Sequence, residues 1–261
     1  MLTFSDADLY RWLGHFFWPF VRTLALFAAA PGFSSAAIPV RVKVALAFVI
    51  ASLLAVTIQQ SAPLTLSWTA ALLMVEQIAV GLAIGFAMQL TLAAMAFAGD
   101  LIGVQMGFGF AGLIDIQSRF EVPVMSDFFG LVGLLLFFSL NGHLILLGVL
   151  VKSFAVVPIG AQFGMAARGW HTLAGAGAML FQIGVWLALP VIAILLSAQL
   201  VMALVSRVAP QINLMSIGFT VFMWVGIAAT IALLPFFVPA VEHMIDAGWQ
   251  VGRAVMMDFR P

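Results

Sequence analysis

Largely uncharged apolar stretches close to or longer than the roughly 20 residues that cross a bilayer recur near residues 12–33, 42–60, 68–98, 127–151, 174–206 and 213–241. The pattern predicts an all-α integral membrane protein of about six long hydrophobic segments, since lone spans satisfy their backbone in lipid only as helices. Breaks fall at Pro31-Gly32, Pro39, Ser61-Ala62-Pro63, the 99–121 region, Pro158-Ile159-Gly160 and Pro210. The 68–98 and 174–206 windows exceed what one tilted span requires. Both carry interruptions, Gly81 and Gly85 in the first and Pro190 in the second, so paired or broken helices are expected there. No hydrophilic domain or linker separates the windows.

Composition fixes the class: 64% of residues are apolar and 8% charged, far more apolar surface than 261 soluble residues would bury. Ten basic residues balance ten acidic ones, which removes the electrostatic footprint of a nucleic-acid binder. The absence of cysteine excludes disulfides and thiolate chemistry. Asp6 and Asp8 stand where a cleaved signal carries basic residues, and Pro31 follows Ala28-Ala29-Ala30, so the first segment is expected to be retained. Loop charge does not orient the spans. Arg11, Lys152, Arg168, Arg253 and Arg260 fall on one side of a six-span arrangement, Arg41, Lys43, Arg119 and Arg207 on the other, and Arg22 inside a span.

Polar islands inside the apolar runs carry the candidate function. Arg207-Val208-Ala209-Pro210-Gln211-Ile212-Asn213, followed by Ser216-Ile217-Gly218-Phe219, sets a guanidinium, two amides and a proline between two hydrophobic stretches. Such groups need partners in protein or water. One reading is a turn capped by its own side chains; the other has Arg207 and Gln211 bonding neighbouring subunits. Gly99, Gly103 and Gly107 recur every fourth residue, a bare helical stripe along which a second backbone can approach. Beyond it, Phe108, Gly109, Phe110, Gly112, Asp115, Arg119, Glu121 and Pro123 form a polar, glycine-rich segment between apolar helices. It reads either as a re-entrant or pore-lining loop or as a plain external one. Glu76 is the carboxylate deep in an apolar window, with Gln77 and Gln89 near it, and reads as an ion-passage group or as an interhelical hydrogen bond. Asn141-Gly142-His143 interrupts the 127–151 window, where His143 is a titratable candidate set against a packing role.

Enzyme signatures are missing. Gly32-Phe33-Ser34-Ser35-Ala36 lacks the second glycine of a nucleophile elbow, and Gly148 to Ser153 lacks the spacing of a phosphate loop. His15, His143, His171 and His243 form no zinc pattern. No catalysis, cofactor or metal is expected. The rival class is a stand-alone small-solute or ion transporter, which normally shows internal repeats and a midplane cluster of ionisable residues. Glu76 alone offers little of that.

Four separated blocks resemble the FliR/SctT family of type III secretion export-gate proteins. They are Ala30-Pro31-Gly32-Phe33 through Ile38-Pro39-Val40-Arg41; Gly99-Asp100 through Gln105-Met106-Gly107-Phe108; Phe137 through Asn141-Gly142-His143 with Pro158; and Arg207 through Asn213 with Gly218-Phe219. Their order covers nearly the whole chain, and the last block is the most specific. The resemblance implies a subunit of the export gate in the bacterial inner membrane, at the base of a flagellum or injectisome and most like the flagellar branch. It implies FliP-like and FliQ-like partners, FlhB-like and FlhA-like components, and unfolded exported proteins as substrate. It further implies a FliP-like part over about 1–170 fused to a FliQ-like helical hairpin over about 171–261. In that family the segment matching Phe108 to Glu121 closes the channel as a plug or constriction. Family sequences often read Asp-Pro where Asp115-Ile116 stands here. A conduit for chains of varied sequence needs a compliant apolar seal on a mobile hinge, which Phe108, Phe110 and the surrounding glycines supply.

Overall fold

A computed structural model describes residues 6–58, 62, 64, 67–108, 123–160, 167–208 and 214–258. Among them there are helices and no strands: α1 Asp6–Ala29, α2 Val40–Thr57, α3 Trp68–Met106, α4 Val124–Ser139, α5 Gly142–Val156, α6 Ala167–Val208 and α7 Leu214–Asp258. Four of these, α2, α3, most of α6 and most of α7, are long and apolar enough to cross a membrane, and α4 with α5 makes a fifth if the bent pair is one span. The protein is therefore an all-α membrane protein with fewer unambiguous spans than the six windows suggest. α1, which carries Asp6, Asp8, Arg11 and Arg22, is not among the four.

The breaks are local chemistry. α1 ends before Pro31 and Gly32, whose φ is 76°; Pro39 precedes the first residue of α2; and α5 ends before Pro158 and Gly160, whose φ is 89°. Between α4 and α5 the axis turns by 67°. Asn141 makes that turn in the left-handed conformation, φ 58° and ψ 25°, which asparagine tolerates better than other non-glycine residues. The 127–151 window is thus two short helices. The reverse holds for the two windows expected to break: α3 runs 39 residues through Gly81 and Gly85, and α6 runs 42 residues through Pro190. At 1.5 Å per residue these helices, like α7, reach about 60 Å, roughly twice the hydrocarbon thickness.

The chain divides into two compact units. The first comprises residues 1–90, 141–177 and 245–261, the second 91–140 and 178–244. In the first, α1 lies along α2, with the Phe16 and Phe48 rings 4.9 Å apart, and along the leading half of α3. There Gly81 and Gly85, one turn apart, seat the backbone of α1: a side-chain carbon on Gly81 would collide with the Arg22 carbonyl, and one on Gly85 would come within 2.6 Å of the Leu26 carbonyl. The two glycines are a close-approach stripe instead of a break. The connector before α3 is tied to α1 by Trp18 Nε1, which donates to the Ala62 carbonyl at 2.9 Å, and by the Leu64 amide to the Tyr10 carbonyl at 3.1 Å.

In the second unit, the trailing half of α3 packs on α4, α6 and α7. Phe97 meets Phe181 edge-on at 5.2 Å, and Phe129 meets Phe237 at 5.2 Å. Gln199 on α6 donates to the side chain and backbone of Gln105 at 3.2 and 3.3 Å. α3 is the core helix, with 61% of its apolar window buried against 17% for α2 and α6 and 22% for α7. Broad apolar faces on the latter three, Val56 being 88% exposed, are surfaces for lipid or protein neighbours.

Candidate functional site

Two places concentrate unusual chemistry, one in each unit. In the second unit it is the end of α3. Gly99 and Gly103 form a contact stripe as their spacing predicts, and their partner is the first turn of α4. A side-chain carbon on Gly99 would collide with the Met125 carbonyl and come within 2.9 Å of the Ser126 Cα, whereas one on Gly103 would meet only the Met125 side chain, at 3.3 Å. Ser126 Oγ reinforces the contact by donating to the Ala96 carbonyl at 3.0 Å. Gly107 departs from the predicted stripe. Its φ is 90°, and it terminates α3: its amide donates to Val104 O at 3.1 Å, and the amide of Phe108 donates to Gly103 O at 3.1 Å. That pair of bonds is a Schellman closure, which requires the left-handed backbone that glycine adopts without strain.

The closure fixes where Phe108 emerges, and its ring meets Phe219 edge-on at 6.4 Å. Two sequence blocks that reading along the chain keeps apart, Gly107-Phe108 and Gly218-Phe219, thus come together. Pro123 precedes the first residue of α4 and so bounds the far side of the connecting segment. The remaining loop candidates, Gly109, Phe110, Gly112, Asp115, Arg119 and Glu121, lie outside the described residues, as do Pro210, Gln211 and Asn213. Arg207 is exposed in the last turn of α6, where a cation complements the helix dipole.

Replacing Gly107 with alanine puts a Cβ into a left-handed position. It should cost about 1–2 kcal/mol. A thermal melt of the detergent-solubilised protein checks this, and an unshifted melting temperature would exclude the closure as a stability element.

In the first unit the unusual chemistry is a fully buried cation. Arg22, 0% exposed on α1, donates through Nε to Gln77 Oε1 at 2.8 Å, through Nη1 to Ser153 Oγ at 2.9 Å and through Nη2 to the Val157 carbonyl at 3.0 Å. Its Cζ stands 4.1 Å from the centre of the Phe154 ring. The Ser153 hydroxyl in turn donates a hydrogen bond to the Leu150 carbonyl at 2.6 Å. Val157 is the residue that ends α5, so the guanidinium also caps the negative end of that helix. One side chain therefore ties α1, α3 and the end of α5.

Glu76, the ion-passage candidate, is the neighbour of Gln77 on α3 and lies within electrostatic range of Arg22. Its Oε2 and the Nε2 of Gln77 are buried without hydrogen-bond partners. The carboxylate that looked isolated in the sequence has an opposing charge in its neighbourhood, supplied by α1, although the Arg22 hydrogen bonds go to Gln77, Ser153 and Val157. Asn141 is exposed at the α4–α5 bend and His143 is half-buried in the first turn of α5. Arg22 is what sequence reasoning passed over. Its signal was an arginine inside an apolar window, where an ionisable group defaults to a role. Ser153 and Val157 left no comparable signal.

Among the described residues no group of three acidic, histidine or cysteine side chains is placed to hold a metal ion. The sequence matches the family model described as bacterial export proteins, family 1, over residues 13–248. It is 38% identical over 246 residues to the flagellar biosynthetic protein FliR of Escherichia coli (strain K12), covering 94% of each chain. The protein of that name from Pectobacterium carotovorum subsp. carotovorum is also 38% identical over 246 residues, again 94% of each chain. The one from Bacillus subtilis (strain 168) is 30% identical over 202 residues, 76% of this chain and 78% of the relative.

Proposed function

This chain belongs to family 1 of the bacterial export proteins, a membrane component of flagellar protein export, and on that premise we propose that it is a non-enzymatic subunit of the export gate. With FliP-like and FliQ-like subunits it forms the conduit for unfolded flagellar proteins across the bacterial inner membrane, at the flagellar basal body, alongside FlhA-like and FlhB-like components. The observation that carries the proposal is the end of α3. An aromatic side chain, Phe108, is held at the mouth of the 109–122 segment by a glycine closure on one side and Phe219 on the other. That arrangement suits a seal whose base is fixed. The FliP-like part is assigned to about 1–170 and the hairpin to about 171–261, consistent with two long helices, α6 and α7, joined by a short connector.

Largely uncovered apolar faces on α2, α6 and α7 are the surfaces available to those subunits. The transporter alternative would rest on Glu76, a single buried carboxylate with the Arg22 charge in electrostatic range. The test is affinity purification of the tagged protein from its native membrane in mild detergent, with mass spectrometry of what accompanies it. Stoichiometric recovery of FliP-like and FliQ-like subunits is the expected result. A lone, monodisperse protein would overturn the gate assignment and make Glu76 the residue to mutate in a solute-uptake assay.

A further inference from the structure

The last turn of an α-helix has carbonyls that its own amides do not reach. In α3 the glycine closure meets two of them, Gly103 and Val104, with the amides of Phe108 and Gly107. The next carbonyl, that of Gln105, finds its donor on another helix. Gln199 of α6 donates through Nε2 to the Gln105 backbone carbonyl at 3.3 Å and to the Gln105 side-chain Oε1 at 3.2 Å. One primary amide, with its two protons, thus caps α3 from outside and grips the capped residue as well.

Gln199 stands where an apolar residue is expected. Gly184 of α6 lies against α3 so closely that an added side-chain carbon would come within 2.5 Å of the Phe97 ring and 3.0 Å of the Ala94 carbonyl. From Gly184, the fully buried Ala188, Val191 and Leu195 follow at helical spacing, and Gln199 is the next position of that stripe. A lone polar residue in an apolar helix contact fixes register, because a slip along the axis leaves the amide and its acceptors unpaired. Two further contacts depend on the register of the α3 end. The buried Met106 side chain fills the space over Gly226 of α7, where an added carbon would come within 2.5 Å of the Met106 Cγ, and the Phe108 ring meets Phe219 of the same helix.

We propose that Gln199 is a positioning residue for Phe108. It holds α6 in register with the last turn of α3, and that turn sets the Phe108 ring against Phe219. The placement stands on the hydrogen bonds themselves; its consequence for export rests on the reading of Phe108 as part of the seal. This anchor is separate from the contact of Gly99 with α4, since it acts on the final carbonyl of the helix and through a different neighbour.

The test is hydrogen exchange at the Gly107 and Phe108 amides, read by mass spectrometry on the full chain purified from its native membrane in mild detergent, with small-solute leak measured in cells carrying the same variants. Gln199→Leu keeps the bulk and removes the donor. It should speed exchange at both amides roughly three- to tenfold, the weight of one neutral hydrogen bond, and leave the amides of α1 unchanged. Gln105→Leu removes the side-chain acceptor but leaves the backbone carbonyl capped, so its effect should be about twofold. The two leucines together make a matched apolar pair: a packing role would return exchange to the parent rate, whereas a lost cap keeps it at the Gln199→Leu rate. Gln199→Lys retains a long donor aimed at a helix C-terminus and should stay near the parent. Parent-like exchange in Gln199→Leu, a double leucine variant restored to the parent rate, or a lysine variant as fast as the leucine one would overturn the positioning role. Leak separates this from the seal reading. Phe108→Ala and Gln199→Leu should both leak. Faster exchange in Gln199→Leu with a leak-tight Phe108→Ala would remove the seal reading and leave the positioning role standing. A leaking Phe108→Ala beside a leak-tight, fast-exchanging Gln199→Leu would overturn the link from α6 to the seal.

Discussion

Arg22→Met is expected to destabilise the protein by about 3–5 kcal/mol, the range for removing one member of a buried charged network. Three acceptors lose their donor at once: the Gln77 amide oxygen, the Ser153 hydroxyl and the Val157 carbonyl. Each buried group left unsatisfied costs about 1–3 kcal/mol, partly relieved by local repacking, and Glu76 loses the only opposing charge the network offers it. Arg22→Lys keeps the charge but cannot reach three acceptors lying in the plane of a guanidinium fork, so it should fall between the parent and the methionine variant. Glu76→Gln should cost less than Arg22→Met, because Glu76 Oε2 already accepts no hydrogen bond. Denaturant unfolding of the detergent-solubilised protein measures the series. A methionine variant within about 1 kcal/mol of the parent would mean that the cation is incidental to stability.

That network also marks where the sequence stops being informative. Local punctuation was legible: Pro31-Gly32, Pro39 and Pro158 lie at helix boundaries, because a ring without an amide proton and a residue without a Cβ act on their own neighbours. The membrane class was legible for the same reason, since apolar run length is a property of each segment alone. Partner-dependent meaning was not. Gly81 and Gly85 carry the same local weakness as a break, and it is α1 lying against them that makes them a contact stripe. Gly107 continues the four-residue spacing of Gly99 and Gly103, yet the helix ends there, so its role comes from hydrogen bonds to Val104 and Gly103 instead of from a facing helix. Asn141-Gly142 drew notice as polar residues in an apolar window, and their work is conformational: a left-handed residue that turns the chain by 67°. Arg22 and Ser153 are 131 positions apart, and no spacing rule joins residues so far separated.

The two ends of the segment proposed as the seal are held by one contact, which makes Gly99 the sharpest probe of the gate reading. α3 delivers Phe108 into the segment, and α4 receives the chain at Pro123, two residues before the Met125 backbone that lies on Gly99. Alanine at Gly99 gains about 1 kcal/mol of helix propensity but drives its Cβ into the Met125 carbonyl and the Ser126 Cα, backbone atoms that yield only if α4 lifts. Lifting also strains the Ser126 bond to the Ala96 carbonyl. The net expectation is a loss of about 1–3 kcal/mol, as for other overpacked contacts, and more for Gly99→Val, whose branched side chain has nowhere to turn. Gly103→Ala supplies the control. It adds the same methyl group to the same helix one turn later, meets only the side chain of Met125 at 3.3 and 3.8 Å, and should be neutral or slightly stabilising. Thermal melts separate the pair, and flagellar export assayed on the same variants links the contact to function. If Gly99→Val exports normally while its stability falls, the α3–α4 contact supports the fold alone and the seal must be anchored elsewhere.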